Sequence, residues 1–134
     1  MEELHAAPPL TPILVAEDDH EMRRLIAATL RRRRFAVTEA ANGMELLDHL
    51  EAAVRRGRRY AAIVSDVRMP LLSGMDVLAV LQAASADVPV ILITAFGDAA
   101  THAEASDLGA VVVLDKPFEM EDLTEVLARI TEGR

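Results

Sequence analysis

A short apolar run, Ala61-Ala62-Ile63-Val64-Ser65-Asp66, ends on a carboxylate, and the chain breaks soon after at Pro70. An apolar run of this length followed by turn residues reads as a buried strand in a parallel sheet covered on both faces. Asp66 then stands at the strand's C-terminal end, the edge where open α/β sheets bind ligands. An aspartate there either caps a helix or serves as a nucleophile or metal ligand, and its company decides between these. Glu17, Asp18 and Asp19 follow the apolar run Ile13–Ala16, Thr94 closes Val90–Thr94, and Lys116 lies just past Ala110–Leu114. Strand ends of a parallel sheet share one edge, so these distant residues converge. Clustered carboxylates repel one another unless a cation neutralises them. Hard oxygen ligands with room for water suit Mg²⁺. A hydroxyl and an ammonium facing the same pocket complement an anionic oxygen such as that of phosphate. The chemistry that uses all of these groups is phosphoryl transfer to a carboxylate, with Asp66 as nucleophile.

The elements that must position them alternate along the chain. Residues 1–12 read as a flexible tail broken by Pro8, Pro9 and Pro12. Strand Ile13–Ala16 precedes a helix over Glu21–Arg33 with Met22, Leu25, Ile26, Thr29 and Leu30 at helical spacing. Phe35–Ala40 is a second strand. Asn42-Gly43 opens a helix carrying Met44, Leu47, Leu50 and Val54, and Arg55–Arg59 form a loop. After the third strand, Ser73-Gly74 starts a helix that buries Val77, Leu78 and Leu81. Strand Val90–Thr94 is followed by a polar, Ala-rich helix over Asp98–Leu108 that Gly109 caps. Strand Ala110–Leu114 and a helix over Glu119–Ile130, with Leu123, Val126, Leu127 and Ile130 on one face, complete the pattern. Five such alternations predict an α/β fold: a doubly wound parallel sheet with right-handed crossovers and helices on both faces.

Composition narrows the function. The 134 residues suit one domain, here over residues 13–131, and 51% hydrophobic residues supply its core. Only 3% are aromatic, so stacking platforms for single-stranded nucleic acid are not expected. A net charge of −8 argues against direct DNA binding, and the run Arg31–Arg34 reads as a solvated helix end. The absence of cysteine excludes thiolate chemistry and cysteine-ligated zinc. No run approaches a membrane span, and Met1-Glu2-Glu3 is unlike a signal peptide, so a cytoplasmic protein is expected. Of the 14 basic residues only Lys116 is lysine, which suggests a site that wants a compact ammonium. His5, His20, His49 and His102 show no ligand spacing and read as surface residues, and Asp19 reads as a helix cap.

Four motifs in order, Ile13-Leu-Val-Ala-Glu-Asp-Asp19, Asp66-Val-Arg-Met-Pro-Leu-Leu-Ser-Gly74, Val88-Pro-Val-Ile-Leu-Ile-Thr-Ala95 and Lys116-Pro-Phe118, resemble the receiver domain of bacterial response regulators, the CheY-like superfamily. The resemblance spans about residues 13 to 130. It implies a flavodoxin-like (βα)5 fold with strand order 2-1-3-4-5 and a phosphoaccepting module of a two-component or phosphorelay system. Asp66 matches the phosphoacceptor. Glu17, Asp18, Asp66 and the backbone carbonyl of Arg68 match the Mg²⁺ ligands, Glu17 largely through water. Thr94 matches the switch hydroxyl and Lys116 the phosphate-binding lysine, before a peptide bond to Pro117 that is usually cis in the family. The implied donor is a phosphohistidine on a sensor histidine kinase or phosphotransfer protein. The implied output is binding of a downstream protein through the helix 4–strand 5–helix 5 face, with homodimerisation left open. Such a domain catalyses only its own phosphorylation and dephosphorylation and is no metabolic enzyme.

Two departures stand out. The family often places an aromatic switch residue three positions before the lysine, and here Val113 occupies it. Arg68 and Phe96, each two residues after a site residue, hold positions that tune phosphoryl lifetime, and they are expected to set access of the attacking water. Two other functions compete. An Asp-nucleophile phosphatase resembles this arrangement but carries a second aspartate two residues on, where this chain has Arg68. A degenerate receiver acting as a phosphorylation-independent scaffold has no physical need for the full set at 17, 18, 66, 94 and 116.

Overall fold

A computed structural model describes residues 10–95 and 97–132. Strands and helices alternate as β1 (Thr11–Ala16), α1 (His20–Arg32), β2 (Phe35–Ala40), α2 (Gly43–Arg55), β3 (Ala62–Asp66), α3 (Gly74–Ala83), β4 (Val90–Thr94), α4 (Ala99–Asp107), β5 (Val112–Asp115) and α5 (Met120–Thr131). All four strand pairings are parallel and the order is β2-β1-β3-β4-β5. The strand order and the doubly wound architecture agree with the sequence-based expectation.

The sheet is apolar on both faces because successive side chains of a strand point to opposite sides. Ile13 and Val15 pack with Ile26 and Leu30 of α1 and Leu123 and Leu127 of α5. Leu14 and Ala16 pack with Leu46 of α2, Val77 and Leu78 of α3 and Ala105 of α4. The starts of α1 to α4 are fixed by side-chain caps. Asp19 accepts a bond from the Met22 amide at 3.0 Å, the cap expected of it. Asn42 caps α2, Ser73 and Asp76 form a capping box on α3, and Asp98 accepts from the Thr101 amide on α4. These caps set where each loop leaves the C-terminal edge of the sheet.

Several boundaries differ from expectation. β1 begins at Thr11, so Pro12 is within a strand and not a breaker. Pairing with β3 starts only at Ile13, so the missing Pro12 amide costs no bond on that side, while its carbonyl accepts from Ala61 at 2.8 Å. The expected tail at residues 1–9 lies outside the described residues. β5 begins at Val112 and not Ala110, because the end of α4 consumes the intervening residues: Gly109 sits at φ +98° and the Ala110 amide bonds the Ala105 carbonyl at 2.9 Å. On α2 the buried residue is Leu46, with Met44 and Val54 exposed, and on α1 Leu25 is half exposed. Among the described residues no helix is long and apolar enough to cross a membrane.

Candidate functional site

Three strand ends build an acidic edge. Glu17 and Asp18 follow β1, and Asp66 is the last residue of β3. β1 and β3 are neighbours in register, with Ala16 opposite Ser65, so the two acidic ends must lie side by side. One carboxylate oxygen from each of Glu17, Asp18 and Asp66 lies within 4.8 Å of the others. Glu17 and Asp66 are buried, at 2% and 6% exposure, whereas Asp18 is exposed. Repulsion in such a cluster is costly where water cannot screen it.

Lys116 answers part of that charge. β5 is two strands from β3, and the long lysine side chain spans the gap. Its Nζ donates to Glu17 Oε1 at 3.1 Å and to Asp66 Oδ2 at 3.4 Å. The lysine's main chain is anchored as well, its amide donating to the Thr94 carbonyl at 2.7 Å, and the Lys116–Pro117 peptide is cis. Burial pushes the Glu17 carboxyl up to about 7, and the nearby Asp66 charge adds to this against the Asp19 amide and the Lys116 ammonium. Burial alone would lower Lys116, but its bond to Glu17 and the charges of Asp66 and Glu17 outweigh it and hold the ammonium above its ordinary value. One ammonium therefore leaves the cluster short of positive charge. That deficit and three convergent oxygen donors fit a small hard divalent cation such as Mg²⁺.

A cavity of about 320 Å³ opens on this edge, lined by Glu17, Asp18, Asp19, Asp66, Arg68, Ala95 and Lys116. Thr94 ends β4 beside Asp66 but is 1% exposed, and Ala95 forms the wall in its place. The expected hydroxyl is thus at the right strand end and behind the cavity surface. Arg68 lies on the loop after β3 and is exposed. Val113 is half-buried and packs with the α2–α3 side of the core. Phe96 lies outside the described residues.

Other residues support the site without a sequence signal. Arg23 of α1 donates to the Glu17 carbonyl at 2.9 Å and pairs with Glu39 of β2 at 3.3 Å, fixing the β1–α1 loop. The Asp19 amide donates to the second Glu17 oxygen at 3.1 Å. Gly74 is required at the start of α3, where a β-carbon would stand 2.5 Å from the Asp66 carbonyl oxygen. The contacts of Arg23 and Gly74 with this edge could have been found only by knowing which loops meet. The histidines divide: His20 is exposed next to Arg23, His49 is half-buried, His5 lies outside the described residues, and His102 bonds Asp115.

Comparison with known proteins places this geometry. The family model of the response regulator receiver domain matches residues 13–128. The transcriptional regulatory protein FixJ of Bradyrhizobium diazoefficiens is 36% identical over 115 residues, which cover 86% of this chain and 54% of that protein. The chain thus spans about half the length of the curated relatives it matches. Among solved structures, the Francisella response regulator 1452 receiver domain superposes with a TM-score of 0.82 at 26% identity, covering 91% of this chain and 97% of that one. Chemotaxis protein CheY4 of Vibrio cholerae gives 0.80 at 28% identity, covering 90% and 98%. The matched span contains every strand end that carries an acid, the hydroxyl or the lysine, and on that ground the chain belongs to the response regulator receiver domain family, the phosphoaccepting modules of two-component signalling.

Proposed function

We propose that Asp66 accepts a phosphoryl group from a phosphohistidine on a sensor histidine kinase or phosphotransfer protein. The observation that carries this reading is the Lys116 ammonium bridging Glu17 and Asp66 beneath an open cavity. A carboxylate oxygen of Asp66 attacks phosphorus, the P–N bond breaks, and its electron pair stays on the donor imidazole, which takes up a proton. The product is an acyl phosphate, and water attack at phosphorus later returns the carboxylate and inorganic phosphate. Lys116 meets the incoming phosphoryl oxygens in this reading as a point charge. Glu17, Asp18, Asp66 and the Arg68 carbonyl would hold Mg²⁺, which when bound supplies neutralisation of the crowded negative charge. The domain catalyses only these two steps on itself. Its phosphorylated form alters the α4–β5–α5 face that a downstream protein reads, and it works in the cytoplasm.

The test is intact-protein mass after incubation with acetyl phosphate, with and without Mg²⁺. Wild type should gain one phosphoryl group only with Mg²⁺, and Asp66→Asn should gain none. A folded wild type that gains nothing would instead favour a phosphorylation-independent scaffold.

A further inference from the structure

Resting on the phosphoacceptor reading, we propose that His102 and Asp115 form a latch that restrains Thr94 and so sets how readily Asp66 takes up a phosphoryl group. His102 lies on α4 and Asp115 is the last residue of β5. The His102 Nε2 atom stands 2.9 Å from Asp115 Oδ1 and 3.2 Å from Oδ2. A carboxylate only accepts, so Nε2 is the donor, in either the charged ring or the tautomer with its proton there.

The same carboxylate touches the chain that leads from Thr94 to α4. A β-carbon built on Gly97 would collide with Asp115. Thr94 is itself the register partner of Asp115, and its carbonyl accepts the Lys116 amide. Asp115 is therefore bonded to His102 at the first turns of α4 and lies against Gly97 just before it. It is also joined through the backbone to both the hydroxyl and the lysine of the site.

Thr94 is buried and does not line the cavity beside Asp66, and a shift of this part of the chain would carry its hydroxyl toward a group held there. Few fully buried groups among the described residues oppose such a shift. α4 buries only Ala105, and no residue of β5 is fully buried. Side chains two apart on a strand share a face, so Asp115 lies on the same side as Val113, whose valine reaches no polar group. The polar link between β5 and α4 is thus made by Asp115, two residues nearer the lysine.

The experiment measures the rate of Mg²⁺-dependent phosphoryl gain from acetyl phosphate, with amide hydrogen exchange of α4 in the same proteins without donor. His102→Ala should speed phosphoryl gain about three- to tenfold, the range of one net hydrogen bond, and should raise exchange over α4. His102→Gln, which keeps a donor, should stay within about twofold of wild type on that scale. Asp115→Ala should add nothing to His102→Ala in the double variant. An alanine variant with the wild-type rate, or a glutamine variant that behaves as alanine does, overturns the latch. A wild type that gains no phosphoryl group overturns the acceptor reading and this inference with it, whatever the exchange data show.

Discussion

β3 and β5 both deliver a site residue to the same edge, yet they are built differently. All five residues of β3 are buried, and its neighbours β1 and β4 lie on either side. β5 is one of the sheet's two edge strands, none of its four residues is fully buried, and its last residue is exposed. The helix beside it, α4, buries only Ala105, whereas α1 buries Ile26, Ala27 and Leu30. The strand that carries Asp66 is clamped in close-packed core, where displacement costs many contacts at once. The lysine's strand rests on few buried groups and on polar bonds, so its side of the molecule has the lower local stability. If Asp66 is the acceptor proposed above, it sits on the fixed side and Lys116 on the yielding one, and the divide runs between β4 and the start of α4.

Core truncation breaks this comparison most strongly. Ile91 of β4 is fully buried between β3 and β5. Ile91→Ala should cost about 4 kcal/mol in urea unfolding. Val113→Ala in β5 should cost about 1 kcal/mol, because its side chain is only half-buried. Equal losses at the two positions would show that β5 is as firmly packed as β4. Gly74→Ala sharpens the comparison on the rigid side. Helix propensity favours alanine there by about 1 kcal/mol. The added methyl, however, would stand 2.5 Å from the Asp66 carbonyl and 3.1 Å from Leu92 Cδ2. A net loss of about 2 kcal/mol is expected, with slower phosphoryl gain because the collision falls on the acceptor's own backbone. A neutral Gly74→Ala would mean the β3 end gives way easily.

What the sequence discloses follows the same divide. Glu17, Asp18, Asp66 and Lys116 were legible because each ends an apolar run, and strand ends of a parallel sheet must meet. The α2 stripe was less so. Leu46 and Leu47 are adjacent, and helical spacing through Leu47 selects Met44 and Val54, which prove exposed. Only the packing of α2 against the sheet makes Leu46 the buried residue. The bounds of β5 were obscured by Ala110, which looks like strand but whose amide bonds back to α4 at the Ala105 carbonyl, while the Val111 amide already bonds the Val90 carbonyl of β4. Arg23, Gly97 and the His102–Asp115 pair carried no local signal, since each acts on a loop brought close by the fold, and Gly74 was legible as a helix start but not for its close approach to the Asp66 carbonyl. The burial of Thr94 behind Ala95 was equally invisible, because spacing places a side chain at a strand end and does not say which wall it forms.

The smallest expected effect tests the charge balance at the rigid end. The Glu17 carboxyl is raised from 4.5 to about 7 by burial. Between those values the folded state binds more protons at Glu17 than the unfolded chain does, so this contribution to stability falls as pH rises through that window. From pH 6 to pH 8 the loss should be about 1 kcal/mol, read as the difference in unfolding free energy between wild type and Glu17→Gln so that the histidines cancel. Asp66→Asn should shrink the loss, because the Asp66 charge is among the groups that raise Glu17. Added Mg²⁺ should stabilise wild type more at pH 8 than at pH 6, since cation and proton compete for the same oxygen. A pH dependence identical in wild type and Glu17→Gln would mean that water or the Lys116 ammonium already relieves the cluster. The acidic edge would then need no cation for its stability, and the case for Mg²⁺ would rest on phosphoryl gain alone.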